Sequence, residues 1–210
     1  MVISMILMRA GVFSMSMRDD RDVAEALMHS GTRHRHKRNA NMPSGNEQTM
    51  IDLFQRHVGA EMDGDLETTM ATMCEDPHLI NVPTSMGGFG RDGVKNFYAN
   101  HLVGKFFPPD VKMTPVSLTV DQHWVVDELI ISFTHTHAID WMLPGVAPTG
   151  KHVEVAFAVI VGVKDEKVSY EHIYWDQASV LVQIGLLDPT GLPVLGAENA
   201  RKILELAEGA

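Results

Sequence analysis

The chain is expected to fold as an α+β domain, on three observations. Apolar residues recur at helical spacing between about residues 46 and 106, strand-like alternation takes over from 111 to 175, and short turn signals separate the strands. Runs of helices followed by runs of strands favour α+β over an alternating α/β order. The arrangement this suggests is a curved, mostly antiparallel sheet with helices packed on its concave side, enclosing a cavity.

Residues 1–45 hold seven methionines, the basic run RHRHKR and the stretch NANMPSGN, with no sustained period. They are read as a poorly ordered extension ahead of one domain spanning 46–210. Ser44 with Glu47 fits a capping box, and Met50, Ile51, Phe54 and Val58 then follow a helical stripe. Asp65 is placed to cap a second helix over 65–75, with Leu66, Met70 and Met73 inward. HLINVPT (78–84) reads as a short strand and GGFG (87–90) as a turn into a third helix, whose Val94, Phe97, Tyr98 and Leu102 share a face. GGFG lacks the lysine of a phosphate loop. Four strands follow: VKMTPVSLTV, WVVDELIISFTHTHAI, HVEVAFAVIVGV and KVSYEHIYW. A last short helix, QASVLVQIG, has Val180, Leu181 and Ile184 inward.

A hydrophobic fraction of 45% with 21% charged residues is ordinary for a globular chain of 210 residues. The formal charge is −10; residues 1–46 carry seven Lys/Arg and four Asp/Glu, or +3, which leaves −13 for the remainder. So acidic a body argues against nucleic acid or an anionic membrane as the main partner. No stretch approaches the ~20 apolar residues that cross a bilayer. The single cysteine, Cys74, excludes an intrachain disulfide and a thiolate zinc site, and suits a reducing, cytoplasmic setting. Its helical spacing from Met70 and Leu66 suggests a buried structural thiol.

Side-chain alternation gives the candidate chemistry. On the long second strand Leu129, Ile131, Phe133, His135, His137, Ile139 and Trp141 share one parity, so both histidines are expected to point inward. Buried imidazoles need partners, and three readings stand: structural hydrogen bonding, metal ligation with His172 or Asp176 as a third ligand, or acid–base chemistry. Tyr170, His172, Tyr174 and Asp176 also share a face, which would bring Asp176 into a pocket beside Tyr174. Asp176 equally suits the N-cap of the helix that follows. Trp141 and Met142 are core or cavity wall, and Asp127–Glu128 reads as a solvated surface pair.

GGFGRDGVKNFY, FTHTHAIDWMLPGVAPTGKHVEV and EHIYWDQASVLVQIGLL together resemble the SnoaL-like polyketide-cyclase group of the nuclear-transport-factor-2-like superfamily, over residues 47–190. The resemblance implies a cone-shaped α+β fold, a deep apolar pocket for a small hydrophobic ligand, a homodimer, and chemistry with no cofactor and no metal. It also implies an aspartate near the end of the last strand as acid–base; Asp176 matches it. Such cyclases pair that aspartate with a histidine on the preceding strand, but HVEVAFAVIVGV has none after its first residue. His135, His137 or His172 would substitute, with Tyr174, Trp141 and Tyr98 contacting substrate. The expected function is that of a lyase or isomerase handling a small hydrophobic carbonyl compound; the alternative is a non-catalytic binding protein of the same fold.

Overall fold

The computed structural model describes residues 45–102 and 106–209. The extension read over 1–45 and the cap at Ser44 fall, but for Gly45, outside these residues. Helix α1 (Gly45–Asp63) buries Met50, Phe54, His57, Ala60 and Glu61 on one stripe. It ends where Gly64 takes a left-handed φ of 73° and Asp65 N–H reaches back to Ala60 O at 2.8 Å. Asp65 then caps α2 (Leu66–Thr72) by accepting from Thr68 N–H at 2.9 Å. The helix stops three residues before 75, the expected end. Met73 and Cys74 open strand β1 (Met73–Asn81) instead, because Met73 pairs with Val168 of the last strand. Cys74 is only half-buried.

GGFG forms most of strand β2 (Met86–Phe89), not a turn. A Cβ on Gly88 would lie 2.4 Å from Gly93 O and 2.6 Å from Val94 Cα, so only glycine lets this strand approach helix α3 (Gly90–Phe97) so closely. A π-helical turn (Tyr98–Leu102) continues α3 and buries Tyr98 completely.

Strands β3 (Lys112–Val120), β4 (Trp124–Thr134), β5 (His152–Lys164) and β6 (Lys167–Trp175) complete an open six-stranded sheet of order β2-β1-β6-β5-β4-β3. Only the β1–β6 pair is parallel. β4 ends earlier than the expected residue 139: the Asp110 carboxylate takes the Thr134 N–H, and the chain then turns with a Thr136 N–H to Thr134 O bond of 2.7 Å.

Odd-numbered residues of β4, β5 and β6 face the interior, where Phe133, Val153, Val155, Phe157 and Val161 join the core with Trp141 and Leu143 from the β4–β5 connection. Two helices follow β6, α4 (Gln177–Gln183) and α5 (Glu198–Glu208). The second was not anticipated from sequence. It is fastened by Arg201, whose guanidinium donates to both Glu154 oxygens at 2.8 Å.

Candidate active site

A cavity lies between α1 and the sheet, with about 670 Å³ of empty space counted out to its open mouth. Phe54, Val58 and Met62 line it from α1; Leu129, Ile131, Phe157, Val159 and Ile173 line it from the sheet; Phe106, Phe107 and Trp141 close one side. The aromatic side is closely packed. Trp141 meets Phe107 and Trp175 edge-on at 5.2 and 5.5 Å, and its indole N–H donates to Phe106 O at 3.2 Å. Such a wall suits a flat, apolar ligand body.

Four polar residues interrupt it: Glu61, Asn81, Asp127 and Glu171. Glu61 and Glu171 belong to a buried cluster with His57 and Tyr98. His57 Nε2 lies 3.1 Å from Glu171 Oε1 and 3.1 Å from Glu61 Oε1. The Tyr98 hydroxyl donates to Glu171 Oε2 at 2.6 Å. On the other side of the imidazole, Nδ1 lies 2.6 Å from Thr72 Oγ1, which in turn is 2.6 Å from Thr69 O. A carbonyl can only accept, so the Thr72 proton goes to Thr69 and Thr72 Oγ1 accepts from Nδ1–H. One proton is thereby placed on Nδ1, and protonated His57 carries a second on Nε2. One Nε2 proton can be directed at one carboxylate only, and that is Glu171; Glu61 Oε1 is left without a hydrogen bond, as is Asn81 Oδ1.

Burial opposes charge on His57, but the facing carboxylates of Glu171 and Glu61 outweigh it and raise its pKa to about 10. Burial and then the Glu171 charge push Glu61 up. Glu171 is held down despite burial, because His57 and Tyr98 stabilise its anion.

Asp127 stands apart from this cluster. It pairs across the sheet with Val159, which pairs with Ile173; Glu171 lies two residues further along β6. Two strand spacings and one two-residue step separate the Asp127 and Glu171 backbones by about 12 Å. The Asp127 carboxylate has no hydrogen-bond or ion-pair partner among the described residues, and burial alone raises its pKa from 3.8 to about 6. The expectation of a solvated Asp127–Glu128 pair holds for half of it: Glu128 is on the outer face and accepts from Ser117 at 3.0 Å.

Of the residues expected in the site, Trp141 lines the cavity, and Tyr98 sits behind it in the His57 cluster. His135 is fully buried but away from the cavity lining, with Nδ1 3.2 Å from Thr149 Oγ1 and Nε2 unpartnered. His137 is partly buried, also outside the lining. Tyr170, His172 and Tyr174 are on the outer face, where His172 Nε2 meets His78 Nε2 at 3.0 Å and Tyr174 is 40% exposed. The alternation along β6 is as read, with the opposite row inward: Glu171, Ile173 and Trp175.

Asp176 is exposed just beyond β6. Its Oδ1 caps α4 by accepting from Ser179 N–H at 3.0 Å, and its Oδ2 accepts from Asn199 at 3.1 Å. The strand has ended at Trp175, so alternation no longer carries Asp176 inward. Asp176→Asn is expected to leave the melting temperature within about 1–2 °C, since Asn caps as well as Asp, while Asp176→Ala costs about 1 kcal/mol. Paired thermal melts check this; a loss with Asn as large as with Ala would contradict it.

His57, Glu61 and Glu171 escaped the sequence reading, although His57 and Glu61 continue the Phe54 stripe one turn apart.

The profile of the SnoaL-like polyketide cyclase family matches residues 51–184. No curated protein matches the chain. Among solved structures, the chain is similar to a protein of Jannaschia sp. CCS1 designated a SnoaL-like polyketide cyclase, at 17% identity and a TM-score of 0.57, covering 70% of this chain and 99% of that one. It is also similar to AclR of Streptomyces galilaeus, designated a hydroxylase, at 20% identity and a TM-score of 0.51, over 68% and 99% of the two chains. TsrD of Streptomyces laurentii matches at 16% identity and a TM-score of 0.52, over 67% and 97%. At these identities the neighbours speak for the fold alone, the α+β architecture expected. No helix among the described residues is long and apolar enough to cross a membrane. With its profile matched over more than half its length, the chain belongs to the SnoaL-like polyketide cyclase family.

Proposed function

We propose that the protein is a lyase or isomerase that moves a proton next to the carbonyl of a small hydrophobic compound, with Asp127 as the general base. One observation carries this reading: an unpartnered carboxylate on an apolar stretch of the cavity wall, apart from the Glu61–Glu171 cluster, its basicity raised toward neutrality by burial. A base with a pKa near the working pH is both ionised and able to accept a proton. Asp176 does not take this role, because both its oxygens are engaged at the surface.

The apolar wall of Phe106, Phe107, Trp141 and Phe157 holds the carbon skeleton and excludes water. Proton abstraction leaves an enolate. Its oxygen needs a donor group, and Glu61, a cavity-lining carboxyl whose pKa burial and the Glu171 charge raise, supplies one when protonated.

The test needs no knowledge of the natural substrate. A panel of cyclic ketones, enones and lactones is incubated with protein in deuterium oxide, and proton NMR follows exchange next to the carbonyl. Face-selective exchange by at least one compound, lost with Asp127→Asn, is the expected result. Compounds that bind yet exchange no faster than in buffer would point to a carrier instead.

A further inference from the structure

The convergence of His57, Glu61 and Glu171 poses a problem that one proton does not solve. Two carboxylate oxygens approach the same imidazole nitrogen, each at 3.1 Å, and the three ligand atoms all lie within 4.8 Å of one another. The Nδ1–H is committed to Thr72, so whatever satisfies this convergence sits on the Nε2 side. A proton on Nε2 serves Glu171 and leaves Glu61 Oε1, on a residue only 8% exposed, without a hydrogen bond. A buried acceptor left without a hydrogen bond is costly, and a charged one more so. A cation between the three atoms would engage all of them at once.

We propose that His57 Nε2, Glu61 Oε1 and Glu171 Oε1 form a divalent-cation site on the helix-side wall of the cavity. Ligands bound at about 2.0–2.1 Å in tetrahedral or octahedral geometry lie about 3.0–3.4 Å from one another, the separation seen from Nε2 to each carboxylate. The outer contacts are those that orient ligands. Nδ1–H donates to a hydroxyl that is itself anchored on a carbonyl, and Tyr98 holds the second oxygen of Glu171. Two ligands come from one turn of α1 and the third from β6, so their positions are set by helix and sheet. Glu61 and Glu171 line the cavity, which leaves one side of the site open to water or to a substrate oxygen.

One imidazole and two carboxylates, without a thiolate, suit zinc, manganese, iron(II) or cobalt(II) better than copper(I) or magnesium. The family resemblance implies metal-free chemistry, so this site would set the chain apart. Binding stands on the donor geometry alone; only its use, to hold the oxygen of an enolate, rests on the carbonyl reading above.

The experiment is calorimetry with zinc or manganese chloride on the untagged full chain after chelator treatment. The expected result is one saturable equivalent with a Kd on the order of 1 µM or tighter. Glu61→Gln keeps size and helix propensity and should weaken binding by about 100-fold. Thr72→Val removes no ligand but takes away the acceptor that orients His57, and should weaken binding by about 10-fold, as loss of an orienting contact does. Circular dichroism confirms folding of both variants. Absence of saturable binding overturns the site. So does binding unchanged in Glu61→Gln but lost with His78→Ala or with the histidines at 34 and 36 replaced. Failure of the deuterium-exchange test with metal binding intact would remove the carbonyl reading and leave the site.

Discussion

Asp127→Asn is expected to slow exchange next to a substrate carbonyl by roughly 10²–10⁴-fold, the usual contribution of a general base. The same substitution is expected to stabilise the fold at neutral pH. Asp127 has a folded pKa of about 6 against an ordinary 3.8, so the folded state holds its proton more tightly than the unfolded one. A group shifted upward contributes its full stabilisation below about pH 4 and loses it as pH rises through about 6. Above that range the partly buried charge costs up to roughly 3 kcal/mol, less as solvent screens it, which Asn does not incur. A melting temperature higher by several degrees at pH 7.5, converging with the parent near pH 4, accompanies loss of activity. Activity of the parent should rise with pH and level off above about 7. Equal activity in both proteins would remove Asp127 from the mechanism.

Loss of the Glu171 carboxylate is the second large effect. Glu171→Ala takes from His57 the anion that supports its charge, takes from Tyr98 its acceptor, and removes a buried side chain from the cavity wall. Breaking a buried pair by removing one partner costs roughly 3–5 kcal/mol, or about 10 °C in a domain of this size. Denaturant titration of chelator-treated protein measures it. Glu171→Gln, which keeps volume and an acceptor for Tyr98, should cost clearly less. If Ala and Gln were equivalent and both below about 1 kcal/mol, the cluster would not be the stabilising unit inferred from its hydrogen bonds.

The architecture was largely legible because it depends on period. The stripe from Met50 through Phe54, the Asp65 cap and the alternation of four strands each announce an element, and each is found close to where its pattern lies. Boundaries were less legible where pairing decides. Met73 and Cys74 extend a helical stripe but are taken into β1 by their register with β6. The glycines of GGFG look like a turn until α3 is seen to need their bare backbone.

The site was harder to read, for a physical reason. Alternation sorts a strand into two rows without saying which row faces the concave side. In β6 the row with two phenols and an imidazole drew attention, yet the row of Glu171, Ile173 and Trp175 faces the cavity. Asp127 and Glu61 have the same difficulty: a carboxylate in an inward phase looks like a surface residue until the sheet curves over it. Trp141, on the parity of the apolar row, lines the cavity, whereas Tyr98, on an apolar helix face, lies behind the lining in the His57 cluster.

The central claim is that Asp127 is a partly buried base poised near neutrality, and a carbon-13 NMR titration of its carboxyl tests it most directly. Spectra of aspartate-labelled protein, with the Asp127→Asn variant to assign the resonance, should show an inflection at about pH 6. An inflection at or below the ordinary 3.8 would mean that Asp127 is a solvated carboxylate, and the mechanism built on it would fall.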